Sequence, residues 1–369
     1  MIERIRFQNY GPFREAELRL GAFTVIVGPN ASGKTTALQS LFWIQRAIQS
    51  HHLNGMVDDD SEVEEKIRRG SKFARVLVED WIRGFEAEGG FEFQLRSSGW
   101  SCSEELNFMT SPVGTKVILL KLRPSHLRAA SAVDAPRPFM SPSGEGLPTA
   151  LAYLKLNDSP ILDEILRATR NVVPGFQGVS FRRRRIGYGN PVETSDGSMS
   201  VGGRYGDQLE FSFDNASGLP PAQVSDGTIL TLGLLTSLKM EAMSPTDALA
   251  RRPINQSSLV LIDELEHSLH PRALVELVSQ LRRITEETGV QILATSHSPY
   301  LLDALHPEEV RLTGFLDDGT ATIRELTDHP DFERWKDEMT PGEFWSLVGE
   351  DWIAKTEQPE PEEAKAAEG

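Results

Sequence analysis

The sequence predicts an α/β fold interrupted by an inserted lobe, and three observations carry that prediction. Near the N-terminus, a strand of β-branched and aromatic residues, Phe23 to Val27, runs into a glycine-rich loop and then a helix. A second α/β stretch begins at the buried-strand run Ser258 to Ile262 and repeats the order of strand and helix. Between them, from His51 to about Ala250, the alternating pattern is lost. With 369 residues, 39% of them hydrophobic, the chain can bury a sizeable core as one large domain or two interlocked lobes.

The N-terminal elements read as strands over Ile2 to Asn9, Phe13 to Leu20 and Phe23 to Val27, separated by turns at Tyr10-Gly11-Pro12 and Gly21-Ala22. These are the expected antiparallel strands. Met1 to Phe7 alternates charge and apolarity and lacks the apolar core of a signal peptide, so the expected location is cytoplasmic. The single cysteine, Cys102, excludes an internal disulfide framework and fits a reducing compartment. After the loop, Leu38, Leu41, Phe42 and Ile48 keep near-helical spacing over Thr35 to Ser50.

The middle of the chain offers strand candidates at Phe91 to Leu95, Val117 to Leu122 and Leu209 to Phe213. Helices are expected at Leu147 to Leu156 and Ile161 to Val172, and a turn-rich stretch spans Pro136 to Gly146. Ile229 to Leu238 is an apolar helix, far short of the roughly 18 apolar residues that a membrane span needs. Pro271 opens a helix that Gly289 ends, and Val290 to Thr295 is the next strand. The segmentation is a discontinuous core at 1–50 and 205–330, an inserted α+β and helical lobe at 51–204, a C-terminal docking segment at 331–356 and a disordered acidic tail at 357–369.

The chemistry begins at Gly28-Pro29-Asn30-Ala31-Ser32-Gly33-Lys34-Thr35, which matches the phosphate-loop pattern at every fixed position. Glycines let backbone N–H groups wrap phosphates, and the helix that follows points its positive end at them. Lys34 would neutralise the β and γ oxygens of ATP, and the Thr35 hydroxyl would ligate Mg²⁺, with Thr36 beside it in the nucleotide-binding set. Ser258 to Glu264 is a hydrophobic strand that delivers two adjacent carboxylates at its C-terminal end, the edge where ligands sit in open parallel sheets. Asp263 is expected to hold Mg²⁺ through its water shell and Glu264 to polarise the attacking water. Taken alone, such a run also fits an ordinary solvated strand end.

His297, in Thr295-Ser296-His297-Ser298-Pro299, again follows a core strand and could reach the γ-phosphate or the water as a hydrogen-bonding sensor. Ser225, in Val224-Ser225-Asp226-Gly227-Thr228, is a good N-cap for the apolar helix, and Gly227 permits close approach, so this helix start is a second anion site. A merely capped buried helix is the plainer alternative.

These four segments, in the chain order Gly28 to Thr35, Ser225 to Thr228, Leu261 to Pro271 and Thr295 to Pro299, resemble the ABC-class, AAA-type ATPase heads of the RecF, SMC and OLD (overcoming lysogenization defect) group. The resemblance implies a P-loop NTPase fold and a head-to-head homodimer, in which ATP on one subunit's loop is covered by Ser225, Asp226 and Gly227 of the other. It also implies Glu264 as catalytic carboxylate and His297 as switch histidine. Val-Ser-Asp-Gly-Thr stands where transporter ATPases carry a glycine pair, which argues against a transporter subunit. The Mg²⁺-contacting glutamine of such heads stays unassigned among Gln45, Gln49 and Gln94.

Other features are weaker. A net charge of -16 repels nucleic acid on average, so any DNA contact must be local. The Arg182 to Arg185 run, flanked by Phe181 and Tyr188, could make one, or could be a solvated strand face. Asp317-Asp318-Gly319 reads as a hairpin turn rather than a metal centre. The 72 residues after His297 are too few for the nuclease domain of full-length OLD proteins. The expected function is therefore an ATP-driven switch for a separate, nuclease-like effector, in anti-phage defence or DNA processing, with a RecF-like DNA clamp as the alternative.

Overall fold

The structure is a computed structural model that describes residues 1–42, 73–81, 88–96, 99–103, 115–132, 140–193, 199–243 and 257–355. The acidic segment at Asp58 to Glu62, the tail from 357, Gln45 and Gln49 lie outside the described residues. The chain divides into two compact units. The first comprises 1–117, 255–266 and 291–369, and the second 118–254 and 267–290.

In the first unit the N-terminal strands are β1 (Ile2–Tyr10), β2 (Phe13–Arg19) and β3 (Phe23–Val27), followed by a helix from 34 to 42. Three strands from the expected insertion, β4 (Phe73–Trp81), β5 (Glu88–Arg96) and β6 (Gly99–Ser103), belong here as well. The reason is pairing: β4 runs antiparallel to β1, so this stretch continues the N-terminal sheet. β7 (Thr115–Leu120) is the strand by which the chain leaves the unit. The boundaries drawn from the sequence thus differ from those of the two units.

The remaining strands of this unit are β11 (Ser257–Ile262), β12 (Gln291–Thr295), β13 (Val310–Phe315) and β14 (Ala321–Glu325). Those wholly within the unit lie in one sheet in the order β6, β5, β4, β1, β2, β14, β13, β3, β12, β11. β3 pairs in parallel with β12 on one side and β13 on the other, and β12 pairs in parallel with β11. Strands buried on both faces read as continuous apolar runs, and all five residues of β3 are buried. Because these four strands are parallel, their C-terminal ends share one edge of the sheet, and the phosphate loop, Asp263, Glu264 and His297 follow those ends.

The second unit contains a three-stranded antiparallel sheet of β8 (Phe176–Glu193), β9 (Met199–Phe213) and β10 (Ala216–Leu219), with β9 in the middle. Its longer helices are Leu147–Asn157, Ser159–Val172, Asp226–Ala242 and Pro271–Thr288. Gly289 ends the last of them in a left-handed conformation at φ 72°. Asp226–Ala242 is buried almost all round, which suits a central helix. Near its C-terminal end Lys239, 7% exposed, bonds Glu164 at 2.9 Å and Glu287 at 3.0 Å, one carboxylate from each neighbouring helix. A buried ammonium needs such partners. Among the described residues no helix is long and apolar enough to cross a membrane.

Candidate nucleotide site

The phosphate loop joins β3 to the helix at 34–42. Its turns demand unusual backbone: φ is 146° at Gly28, 64° at Ala31 and 94° at Gly33. A Cβ on Gly28 would lie 2.3 Å from the Thr313 carbonyl oxygen, and one on Gly33 would lie 2.6 Å from both Pro12 and Phe13. Both glycines are therefore required by packing as well as by conformation.

Ser32 is fully buried. Its hydroxyl donates to the Pro29 carbonyl at 2.8 Å and shares a 2.5 Å hydrogen bond with the Thr313 hydroxyl, so it holds the loop's shape. Asn30 and Ala31 are exposed at the tip, and Thr36 packs its methyl toward Gly11. The Lys34 ammonium folds back over the loop and donates to the carbonyls of Gly28 at 2.8 Å and Pro29 at 2.7 Å. Burial pushes this lysine below its ordinary pKa, opposed by the carboxylates of Glu350, Asp263, Glu266 and Glu264. A cation so desolvated gains from an anionic ligand.

Asp263 and Glu264 follow β11 on the same edge. Thr35 Oγ1 donates to Asp263 Oδ1 at 3.3 Å, and Thr295 Oγ1 donates to the same oxygen at 2.5 Å. That Thr295 hydroxyl also accepts the Glu264 backbone N–H at 2.9 Å, while the Leu265 N–H donates to the Thr295 carbonyl at 3.0 Å. One threonine at the end of β12 thus fixes both acidic residues of β11. Glu264 itself is exposed and left-handed at φ 53°, strain of a kind that clusters at functional sites. The oxygen donors of Thr35 and Asp263 suit a small hard cation that keeps much of its water shell.

His297 is exposed just past β12, and its backbone N–H donates to Glu266 Oε1 at 2.6 Å. Buried Ser296 donates its N–H to the Ile26 carbonyl at 3.0 Å, tying this segment to the strand that feeds the phosphate loop. Lys34, Thr35, Asp263, Glu264 and His297 therefore stand on one sheet edge.

The second unit holds Ser225, Asp226 and Gly227. The Ser225 hydroxyl caps the helix Asp226–Ala242 by accepting the Thr228 N–H at 3.3 Å. A Cβ on Gly227 would lie 2.5 Å from the Ser268 carbonyl oxygen, so only glycine fits there. Ser225 and Asp226 are exposed.

Sequence reading missed three contributors. The motif around His297 gives Thr295 no role, and nothing in the sequence connects Thr313 or Glu350 with the loop. Glu350 accepts the Trp345 indole N–H at 2.7 Å, and its Cβ lies 3.4 Å from the position a Cβ would take on Gly314, next to Thr313. No local signal marks any of the three, because each acts across a long stretch of chain. Gln94 falls in β5.

The arginine run lies in β8, where Arg182 pairs with Glu210 at 2.8 Å and Arg183 with Asp207 at 3.4 Å. Asp317 and Asp318 sit in the turn between β13 and β14, where Asp318 Oδ1 accepts from the Thr320 N–H at 2.9 Å and hydroxyl at 2.6 Å.

A family model described as "AAA ATPase domain" matches residues 1–80, and one described as "AAA domain, putative AbiEii toxin, Type IV TA system" matches residues 143–303. Among solved structures, an SMC head bound to the C-winged helix domain of ScpA is similar at 14% identity and a TM-score of 0.55, covering 88% of this chain and 96% of that one. The SMC head domain from Thermotoga maritima is similar at 12% identity and a TM-score of 0.51, covering 88% and 98%. At these identities the likeness to the solved structures is one of fold.

Proposed function

From a chain that is built as an ABC-type ATPase head of the RecF/SMC group, we propose that it binds ATP with Mg²⁺ at the phosphate loop and hydrolyses it. Hydrolysis takes place in a homodimer whose second subunit brings Ser225, Asp226 and Gly227 over the nucleotide. The observation that carries this reading is the Thr295 hydroxyl, which orients Asp263 toward Thr35 and holds the Glu264 backbone.

In this scheme Lys34 exchanges its contacts with the Gly28 and Pro29 carbonyls for the β and γ phosphate oxygens. Thr35 and Asp263 hold Mg²⁺, which when bound supplies charge neutralisation to the phosphates. Glu264 accepts a proton from the attacking water, and His297 contacts the γ-phosphate side. The Ser225 hydroxyl and the helix start behind it offer an anion site to the partner's nucleotide.

Closure on ATP and reopening after hydrolysis make the head a switch for a separate effector. The matched family's description names a type IV toxin–antitoxin system, and one similar SMC head is bound to a domain of another protein. We infer that the effector is of nuclease or toxin type, acting in phage defence or DNA processing.

Glu264→Gln tests the core of the proposal. Removing the base while keeping the phosphate contacts should lower kcat by about 10² to 10⁴ and leave a dimer in ATP that gel filtration resolves from the nucleotide-free monomer. Turnover at the wild-type rate would remove Glu264 from the chemistry.

A further inference from the structure

We propose that Arg128, which no sequence motif marks, is a positioning residue for the nucleotide-covering segment: it holds that segment's shape and neutralises Asp226. The proposal rests on the ATP-bridged dimer described above. The guanidinium Nε donates to the Pro221 carbonyl at 2.9 Å, and Nη2 donates to the Val224 carbonyl at 2.7 Å and to Asp226 Oδ1 at 2.6 Å. These three acceptors frame Ser225 from both sides. A planar fork can serve them together, whereas a lysine ammonium on its flexible stem cannot match the geometry.

The clamp is anchored on the helix it serves. Arg128 follows the short helix Pro124–Leu127, and Leu127 is fully buried. A Cβ on Gly233 would lie 2.6 Å from Leu127 Cδ2, so Leu127 is seated directly on Asp226–Ala242. Arg128 and the covering segment therefore belong to one packed body.

The electrostatic half of the argument starts from the exposure of Asp226. A segment that closes over a triphosphate would bring an exposed carboxylate toward like charge, which opposes closure. Arg128 offsets that charge with a direct ion pair, and its remaining donors keep the Pro221 to Val224 turn in place. The carboxylate serves to hold Arg128; the dimer does not need its charge.

The experiment uses the full chain in the Glu264→Gln background and reads ATP-dependent dimerisation by sedimentation, with monomer ATP binding and thermal midpoint measured alongside. Arg128→Gln should weaken the dimer by about tenfold or more, the worth of one charge-assisted contact, and leave monomer ATP binding at the phosphate loop unchanged. Adding Asp226→Asn to it should recover part of the loss, because the uncompensated charge goes with the arginine while the Pro221 and Val224 contacts stay lost; a residue that only props up the loop would not be rescued this way. Arg128→Lys, which keeps the charge beside Asp226 but not the planar fork and serves should Arg128→Gln unfold, should still dimerise more weakly than the parent. Dimerisation unaffected by Arg128→Gln, absence of rescue in the double variant, or Arg128→Lys dimerising as tightly as the parent would each overturn the assignment. If the parent Glu264→Gln protein forms no dimer in ATP, the dimer reading fails and this proposal falls with it.

Discussion

Thr295 is the residue on which most of the site's geometry depends. Its hydroxyl donates to Asp263 and accepts from the Glu264 N–H, so losing it frees the carboxylate proposed to face the metal and the backbone of the proposed general base together. Misplacing reacting groups by about an ångström can cost on the order of 10²-fold. Thr295→Val, nearly isosteric, should therefore lower kcat by about tenfold to a hundredfold while ATP affinity, which rests on the loop, stays near wild type. Steady-state turnover beside equilibrium ATP binding checks this, and equal losses in both would move Thr295 from orientation to general stability. The phosphate loop, Asp263 and Glu264 were legible in the sequence because their chemistry is set by spacing over a few residues. Thr295 was visible only as a neighbour of His297, because its role lies in contacts with residues 31 and 32 positions earlier in the chain.

At the scale of elements, β3, β11 and β12 were readable from their apolar runs, β13 was not, and β3 runs over the expected residues. Of the long hairpin of β8 and β9 only Leu209 to Phe213 was read as a strand, since the arginines of β8 interrupt the apolar alternation that marks one. Arg182 and Arg183 find acidic partners on β9, so the charge run that resembled a nucleic-acid contact is partly spent within the sheet.

The C-terminal helix Pro341–Val348 falls in the segment that the sequence marks for docking, but its seat was not legible. It packs where Gly342 leaves room for the Pro299 carbonyl and where Asp303 accepts the Gly342 N–H at 3.0 Å. His329 stands there with its ring 4.7 Å from Phe344 and 5.0 Å from Trp352, and its Nδ1 accepts the Asp331 N–H at 3.0 Å, which requires the neutral ring. Burial holds the imidazole below its ordinary value, against the pull of Asp331. The folded value lies below the unfolded one, so the stabilisation is complete above the ordinary histidine pKa of about 6.5 and is lost as pH falls below it. Tryptophan emission should report loosening of this segment as pH falls below about 6.5, and His329→Asn should flatten that transition. An unchanged transition in the variant would place the acid sensitivity elsewhere.

For the molecule as a whole, the account makes the nucleotide site a shared one: the phosphate loop, Asp263 and Glu264 come from one subunit, and Ser225 to Gly227 from the other. Composition and periodicity carry no trace of such sharing; only the covering motif does. A mixing experiment tests it most directly. Lys34→Ala, which cannot hold phosphate, and Ser225→Arg, which cannot cover a partner's nucleotide, are each purified, checked for folding and assayed alone and together. Each should be inactive alone, and an equal mixture should recover about a quarter of wild-type turnover, because half the dimers are mixed and each of those holds one intact site. A mixture as inactive as its components, or Ser225→Arg turning over ATP at the wild-type rate by itself, would contradict the account.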